Sequence, residues 1–205
     1  CWGPYQHMLK RRGLLDAIKD DYDARVRSVG PHRKIDGRDS VLPADCHVDA
    51  YIWQRAVDWL REIGDDYPWY MCVSWSGPHN PFDPPAEYGE QFRHADVPAP
   101  LPPGDGMPEP ILRKRLDMES EEVRQVARQY AAAIALIDDY VGRIVSVLED
   151  RGMLDNTIIV FTSDHGTQMA SHGIWGKGYM MYDEATRTPL IFRGPGVAQG
   201  TNDAP

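Results

Sequence analysis

The stretch LEDRGMLDNTIIVFTSDHG, residues 148–166, decides the fold. Its first half ends a helical pattern, with Gly152 at the place where a helix would stop. Its second half contains TIIVFT, residues 157–162, a β-branched and aromatic run that is typical of a central strand in a parallel sheet. The run ends at Ser-Asp-His-Gly. The stretch therefore predicts a helix, a buried strand and a group of polar residues directly after the strand.

A long helix is predicted before this strand, over residues 119–150, with Ser120 as its N-cap. Two further apolar runs, at 69–76 and 189–192, predict strands. Because strand, helix and strand alternate along the chain, we predict an α/β fold with a mainly parallel sheet flanked by helices. The helix carries one apolar stripe at three- and four-residue steps: Val123, Val126, Tyr130, Ile134, Ile137, Val141, Ile144 and Leu148.

The rest of the chain is predicted to be helical or irregular. Residues 7–29 favour a helix broken at Gly13, and residues 48–63 carry apolar side chains at helical spacing. Residues 30–45 and the proline-rich stretch 77–110 are expected to be irregular, since proline interrupts both helices and ladders. A loop as long as 77–110 is usually functional or mobile.

Composition limits the class of protein. The 205 residues suffice for one domain or for a large piece of a bigger one. No apolar run approaches the roughly 18 residues of a membrane span, so no span is expected. The net charge of −9 argues against a nucleic-acid partner. Cys1, Cys46 and Cys72 form neither a disulfide framework nor a zinc motif, and Cys72 is expected in the core. Localisation and oligomeric state do not follow from the sequence.

Five polar residues past the predicted strands are candidates for one site. Asp164, His165 and His79 each follow directly after a strand, and ligands of open α/β sheets bind beyond the carboxyl ends of the strands. A carboxylate with an imidazole suits a divalent cation, although two ligands are fewer than such an ion takes. Lys177, between two glycines, and His172 are placed to contact an anion. Together they describe a site for a tetrahedral oxyanion.

Each of these residues also has a plainer interpretation. An aspartate after a strand often caps a helix, and a single histidine in a loop is usually solvated. Lys177 between glycines also fits a surface turn. It is the combination of these residue types within one short stretch that favours a site.

Several segments resemble one family. SDHG (163–166), SHGIWGKG (171–178) and YDEATRTPLIF (182–192) are similar to the C-terminal signature of the sulfatases, in the alkaline phosphatase superfamily. GPHNPFDPPAEY (77–88) resembles the proline-rich loop after the family's preceding core strand. The resemblance covers about residues 47–195, and more faintly GPYQHMLKRRGL near the start. It implies an alkaline phosphatase/sulfatase-like fold, incomplete here, with residues 1–205 as part of a catalytic domain.

The resemblance also implies roles for the candidate residues. Asp164 and His165 match the second pair of metal ligands, where many calcium-using sulfatases have Asp-Asn and where Asp-His occurs in phosphonate or phosphate ester hydrolases. Lys177 matches the lysine that contacts the sulfate and assists the leaving group. His79 matches a histidine that lies near the leaving oxygen and can act as a general acid. His172 matches a residue that lines the substrate pocket in some members. No chemistry is assigned to 182–184, and Arg187 is expected to brace the loop.

The chain departs from the family at the nucleophile. Sulfatases use a formylglycine made from Cys or Ser in a C-x-P-x-R or similar motif, and none of the cysteines or serines here fits it. The family's first metal pair, two aspartates, is also absent from the 205 residues. The chain opens CWGPYQ without an initiator methionine, so we expect a fragment, the alternative being a mature chain with loop ends. We expect no turnover by this chain alone.

Three interpretations follow. The first is a fragment of a metal-dependent sulfatase, a sulfuric ester hydrolase that acts on a sulfated small molecule or saccharide. Ca²⁺ is the expected ion, with Mn²⁺ and Mg²⁺ as alternatives, and formylglycine is expected in the parent protein. The second is a phosphonate monoester or phosphodiester hydrolase of the same superfamily. The third is a degenerate, non-catalytic member that binds an anion or a partner.

Overall fold

The computed structural model of the protein describes residues 3–28, 37–64, 66–104, 120–177 and 180–201. The chain forms two compact units. We call the first, Cys1–Ala99 with Asp117–Ile144, the N-terminal unit, and the second, Pro100–Leu116 with Val145–Pro205, the C-terminal unit. In the described part of the chain, no helix is long and apolar enough to cross a membrane.

The N-terminal unit is helical. Its helices are α1 (Pro4–Arg11), α2 (Leu15–Ser28), α3 (Val48–Glu62), α4 (Ala86–Phe92) and most of α5 (Glu121–Asp150). The predicted helix over 48–63 is confirmed as α3. The predicted break at Gly13 is also confirmed, because this residue has a φ of 70° between α1 and α2, a conformation that favours glycine.

Local signals fix the ends of α5, as the sequence predicts. The hydroxyl of Ser120 accepts a hydrogen bond from the Val123 backbone N–H at 3.3 Å, which caps the first turn. At the other end Gly152 has a φ of 64° and stops the helix. The core between α3 and α5 contains Ala50, Leu136 and Tyr140, and the rings of Trp53 and Tyr140 stack at 5.3 Å.

Three predictions for residues 69–110 are wrong. Residues 69–76 are extended, but they join no ladder among the described residues, and their exposure alternates along the chain. Cys72 consequently points to solvent instead of into the core. The stretch 77–110, of which 105–110 lie outside the described residues, is not wholly irregular, because α4 forms there. The segment 86–92 contains no proline, and Pro85 precedes its first turn, where a missing N–H costs nothing.

The C-terminal unit holds the strands. They are β1 (Ile159–Thr162), β2 (Gln168–Met169), β3 (Trp175–Gly176) and β4 (Leu190–Arg193), with the short helix α6 (Asp183–Thr186) before β4. The predicted strands at 157–162 and 189–192 are thus confirmed. β1 pairs with β4 from Ile159↔Arg193 to Thr162↔Leu190, and β2 pairs with β3.

The predicted orientation of β1 and β4 is wrong, because they pair antiparallel. A parallel pair needs a crossover of about a dozen residues or more, usually a helix. The chain between β1 and β4 instead forms the β2–β3 ladder and the four-residue helix α6. Val160, Ile191 and Phe192 are 50–58% exposed, and Ile159 and Phe161 are only partly buried, so the predicted burial of β1 is also wrong. Helices with small sheets are consistent with an incomplete α/β fold.

Candidate active site

Asp164 and His165 follow directly after β1, where the sequence predicts them. The Asp164 carboxylate accepts a hydrogen bond from the His165 backbone N–H at 2.9 Å. The Ser163 hydroxyl donates to the His165 carbonyl at 2.8 Å. The other Asp164 oxygen, Oδ2, lies 3.5 Å from His165 Nε2. The carboxylate and the imidazole therefore converge, as two ligands of one ion would.

The His165 ring is held in one tautomer when it is neutral. Its Nδ1 lies 2.9 Å from the Gly166 carbonyl oxygen, which can only accept a hydrogen bond. Nδ1 therefore carries the proton, and Nε2 keeps its lone pair on the side of Asp164. A ring N–H bonded to a backbone carbonyl is the usual support for a histidine that ligates a metal through its other nitrogen.

The charge on Asp164 is stabilised by its neighbours. The hydrogen bond from the His165 N–H lowers the pKa of the carboxyl, and the Lys177 ammonium adds to this effect. The Asp164 side chain is 83% exposed, so solvent screens these interactions. Lys177 is exposed as well. The carboxylate is thus ionised and accessible.

The donors that the described residues bring together are too few for a metal ion on their own. Among the described residues no group of three or more His, Cys, Asp or Glu side chains is placed to hold an ion. Asp164 and His165 supply one oxygen and one nitrogen, a combination that divalent cations accept. The two residues fit a metal whose remaining ligands come from elsewhere.

His172 has a strained backbone conformation, and contacts with Leu101, Tyr182 and Glu184 fix its position. Ala170 and His172 have φ values of 67° and 59°, a left-handed conformation that is costly for residues other than glycine. The His172 N–H donates to the Leu101 carbonyl at 2.7 Å. The ring stacks on Tyr182 at 4.1 Å, and its Nε2 lies 3.3 Å from Glu184 Oε2. Its Nδ1 is buried without a hydrogen-bond partner among the described residues.

The loop after β1 and the helix α6 are in direct contact. The Gly166 N–H donates to the Ala185 carbonyl at 2.9 Å. A Cβ atom at residue 166 would lie 2.0 Å from the Glu184 carbonyl oxygen, so only glycine fits there. This contact connects the Asp164–His165 pair to the segment that carries the partner of His172.

His79 lies in the N-terminal unit. Its backbone N–H donates to the Ser76 carbonyl at 3.1 Å, which closes a turn. Its Nδ1 lies 2.6 Å from the Asn80 carbonyl oxygen and so carries a proton. The exposed Nε2 is then the nitrogen that can give or take a proton. The structure therefore groups Asp164, His165 and Lys177, while His79 belongs to a separate unit.

Sequence reasoning missed Glu184. The hydrogen bond from His172 joins residues twelve apart, across β3, and no local pattern marks it. The signal that was available was an acidic residue at the start of a short helix, a position that acidic residues favour for reasons unrelated to any site. Arg187 ends α6, and its N–H donates to the Asp183 carbonyl at 2.8 Å.

The fold is similar to that of a solved phosphonate monoester hydrolase. The structure matches the phosphonate monoester hydrolase of Agrobacterium radiobacter with a TM-score of 0.71 and 26% identity, over 94% of this chain and 41% of that chain. It is thus of the sulfatase/alkaline phosphatase-like class. The sulfatase family model matches residues 3–205, and the chain belongs to the sulfatase family.

Two curated relatives support this assignment. The chain is 34% identical over 197 residues to iduronate 2-sulfatase of Homo sapiens, covering 86% of this chain and 35% of the relative. It is 29% identical over 179 residues to the multifunctional alkaline phosphatase superfamily protein PehA of Trinickia caryophylli, covering 77% of this chain and 34% of the relative. The chain spans about a third of the length of these relatives.

Proposed function

We propose that this chain is part of a metal-dependent sulfatase that hydrolyses a sulfate ester of a small molecule or saccharide. The observation that carries the proposal is the convergence of Asp164 and His165, with Nε2 of His165 left as a lone-pair donor by its Nδ1 contact to Gly166. Membership of the sulfatase family and similarity to an iduronate 2-sulfatase support the choice of substrate class. The nucleophile motif C-x-P-x-R has no counterpart in the 205 residues.

Each candidate residue has a task that its surroundings support. Asp164 and His165 would hold a divalent cation through a carboxylate oxygen and Nε2. Such a cation, when bound, stabilises negative charge on the ester oxygens. The Lys177 ammonium would bind the anionic group, and His172, held by Glu184 and Tyr182, would line the substrate pocket. As an imidazolium, His79 would give its Nε2 proton to the leaving oxygen and become neutral, while its Nδ1–H stays bonded to the Asn80 carbonyl.

Two finer points belong to the same proposal. We expect Ca²⁺ in the site, with Mn²⁺ or Mg²⁺ as alternatives. We also expect a mainly parallel sheet in the complete catalytic domain, with the antiparallel β1–β4 pair as a local exception, since mixed sheets are common. A structure of the complete domain with its metal would contradict these points if it contained another ion or an antiparallel sheet.

A phosphonate monoester hydrolase is the second candidate. The likeness to the Agrobacterium radiobacter enzyme favours it, as does the Asp-His pair at 164–165. Preference between a sulfate ester and a phosphonate monoester separates the two functions.

The test uses the protein encoded by the complete reading frame that contains this chain, which we call the complete protein. We expect it to hydrolyse sulfate esters and to lose activity when a chelator removes the metal. Asp164→Ala should lower kcat/KM by about 100-fold or more, since it removes a metal ligand. Asp155→Ala, an exposed aspartate before β1, is the matched control and should retain activity.

Each alternative outcome has a clear meaning. Faster turnover of a phosphonate monoester would replace the sulfatase assignment with the second candidate. An inactive complete protein that carries no C-x-P-x-R motif would contradict both and leave the non-catalytic interpretation. Turnover of a sulfate ester by the purified 205-residue chain would contradict the assignment of the nucleophile to another part of the protein.

A further inference from the structure

Asp49 is a buried carboxylate in the first turn of α3, with 1% of its surface exposed. Its Oδ1 accepts a hydrogen bond from the Ser76 backbone N–H at 2.7 Å. The Gly77 N–H lies 3.2 Å from Oδ1 and 3.1 Å from Oδ2. One side chain therefore binds two consecutive backbone N–H groups that come from a segment 27 and 28 residues further along the chain.

The contact leaves no space for a Cβ atom at position 77 unless the loop or the Asp49 side chain moves. A Cβ atom added to Gly77 would lie 2.6 Å from Asp49 Oδ2, and 3.7 Å from Cδ1 of Ile137 on α5. The backbone at Gly77 is thus packed between the carboxylate and α5. This close approach is independent of the hydrogen bonds, and it indicates the same fixed position for the segment.

Asp49 is itself fixed. Its backbone N–H donates to Nδ1 of His47, the N-cap of α3, at 3.3 Å. Nδ1 can accept this hydrogen bond only without a proton, and burial of His47 lowers the pKa of its ring, which favours that form. The ring and the first turn of α3 therefore hold the carboxylate where it meets the loop.

The loop that Asp49 holds is the one that carries His79. Ser76 is bonded to Asp49 through its N–H, and its carbonyl accepts the hydrogen bond of the His79 N–H. Only Pro78 separates Gly77 from His79, whose ring is in turn oriented by the Asn80 carbonyl. Two hydrogen bonds, of 2.7 and 3.1 Å, thus connect the Asp49 carboxylate through Ser76 to the backbone N–H of the candidate general acid.

We propose that Asp49 is a positioning residue for His79: it sets the place of the imidazole through the backbone of Ser76 and Gly77. This proposal rests on the proposed function, in which His79 protonates the leaving oxygen. Proton transfer requires hydrogen-bond reach between donor and acceptor, so a small displacement of the loop removes much of the rate that a general acid contributes.

A plainer role for Asp49 predicts different results. An acidic residue in the first turn of a helix stabilises that helix through its N-terminal N–H groups. Loss of such a role would weaken the fold and lower all activities of the protein together. A positioning role would change only the steps that need the proton from His79.

The first measurement is hydrogen exchange in the complete protein, followed by mass spectrometry on a peptide that contains the amides of Ser76 and Gly77. We expect Asp49→Asn to speed exchange of these two amides about tenfold or more, because hydrogen bonds to a carboxylate are among the strong ones. Asp58→Asn, on the same helix but bonded to the Gln54 side chain, is the matched control and should leave them unchanged. Unchanged exchange in Asp49→Asn would overturn the proposal.

The second measurement compares two leaving groups. A general acid matters for an alkyl sulfate, whose alkoxide leaves poorly, and much less for 4-nitrophenyl sulfate, whose phenolate leaves readily. We expect both Asp49→Asn and His79→Gln to lower kcat for the alkyl ester about tenfold more than kcat for the aryl ester. If Asp49→Asn lowers both rates equally while His79→Gln discriminates, Asp49 is structural and the proposal is overturned.

The two measurements distinguish failure of the positioning role of Asp49 from failure of the general-acid role of His79. If His79→Gln itself shows no dependence on the leaving group, the general-acid role of His79 fails, and the positioning role fails with it, whatever the exchange data show. If Asp49→Asn does not fold, Gly77→Ala takes its place, since its methyl group displaces the loop while the carboxylate remains. We expect Gly77→Ala to give the same difference between the two esters, and equal losses on both would overturn the proposal.

Discussion

Asp83 is a partly buried carboxyl group, with 17% of its side chain exposed, whose ionisation depends on the fold. Burial raises its pKa to about 7; the Arg25 guanidinium, 3.8 Å away, opposes this, and Asp21 and Asp49 add to it. The folded state therefore keeps a proton that the unfolded chain releases near its ordinary pKa of 3.8. Stability from this group is full below about pH 4 and is lost as pH rises towards 7.

Asp83→Asn should remove this pH dependence. We expect the free energy of unfolding of the variant to rise relative to wild type by about 2–4 kcal/mol between pH 4 and pH 7, and to stay level above pH 7. Urea unfolding at a series of pH values measures the difference. Asp45→Asn, an exposed aspartate bonded to Arg12, is the control and should give a level difference. A level difference for Asp83→Asn as well would contradict the assignment of the raised pKa.

At the scale of single residues, the sequence predicts which residues form the candidate site better than it predicts which residues they contact. Asp164 and His165 could be placed beside one another because adjacent residues after a strand are neighbours whatever else the chain does. Glu184 and Asp49 could not be found, since their partners lie 12 and 27 or 28 residues away and no local pattern relates them. The left-handed backbone at Ala170 likewise has no signal in the sequence, because alanine rarely adopts it.

Helix α5 is the element whose packing is most directly testable. Leu136 is 1% exposed in the core with Ala50 and Tyr140, whereas Ile134, two residues earlier, is 47% exposed. Leu136→Ala should lower the free energy of unfolding by about 2–5 kcal/mol, because it removes buried apolar atoms and leaves a cavity. Chemical denaturation with far-UV circular dichroism measures the loss.

Ile134→Ala is the matched control on the same helix. Because its side chain is half exposed, we expect a change of about 0.5 kcal/mol or less. Equal losses in the two variants would contradict the packing of α5.

The sequence predicts a helix or strand correctly where the signals for it lie within the segment itself. The period of apolar residues and the caps at Ser120 and Gly152 predict α5 to within about two residues, although Ile134, which fits the stripe, lies outside the core. Strand pairing is not local, so the antiparallel arrangement of β1 and β4 could not be read from their composition. Residues 69–76 have the composition of a strand but lack a partner among the described residues.

For the whole molecule, the exposed apolar residues of the β1–β4 pair have a physical consequence. Leu190, Ile191 and Phe192 are 51–62% exposed and adjacent, and monomeric soluble proteins rarely expose such patches without a partner. We expect the purified 205-residue chain to self-associate at high concentration, and Ile191→Lys to reduce this association. Sedimentation velocity over a range of concentrations measures both effects.

Val41→Lys is the control for this prediction. Val41 is 47% exposed and belongs to the N-terminal unit, outside the strand pair, and its replacement adds the same charge. A wild-type chain that stays monomeric, or an equal effect of the two lysines, would contradict the role of the strand pair.

The close contact at Gly166 also restricts how this site can be exchanged between proteins. Its Cβ position is blocked by the carbonyl oxygen of Glu184, and its N–H is bonded to the carbonyl of Ala185. Residues 163–166 and 182–187 therefore have to be transplanted together. A chimera that takes the Asp-His loop from one relative and the following helix from another would have to reproduce the same backbone path at both segments. The two segments are separate in sequence, yet they can diverge only as a pair.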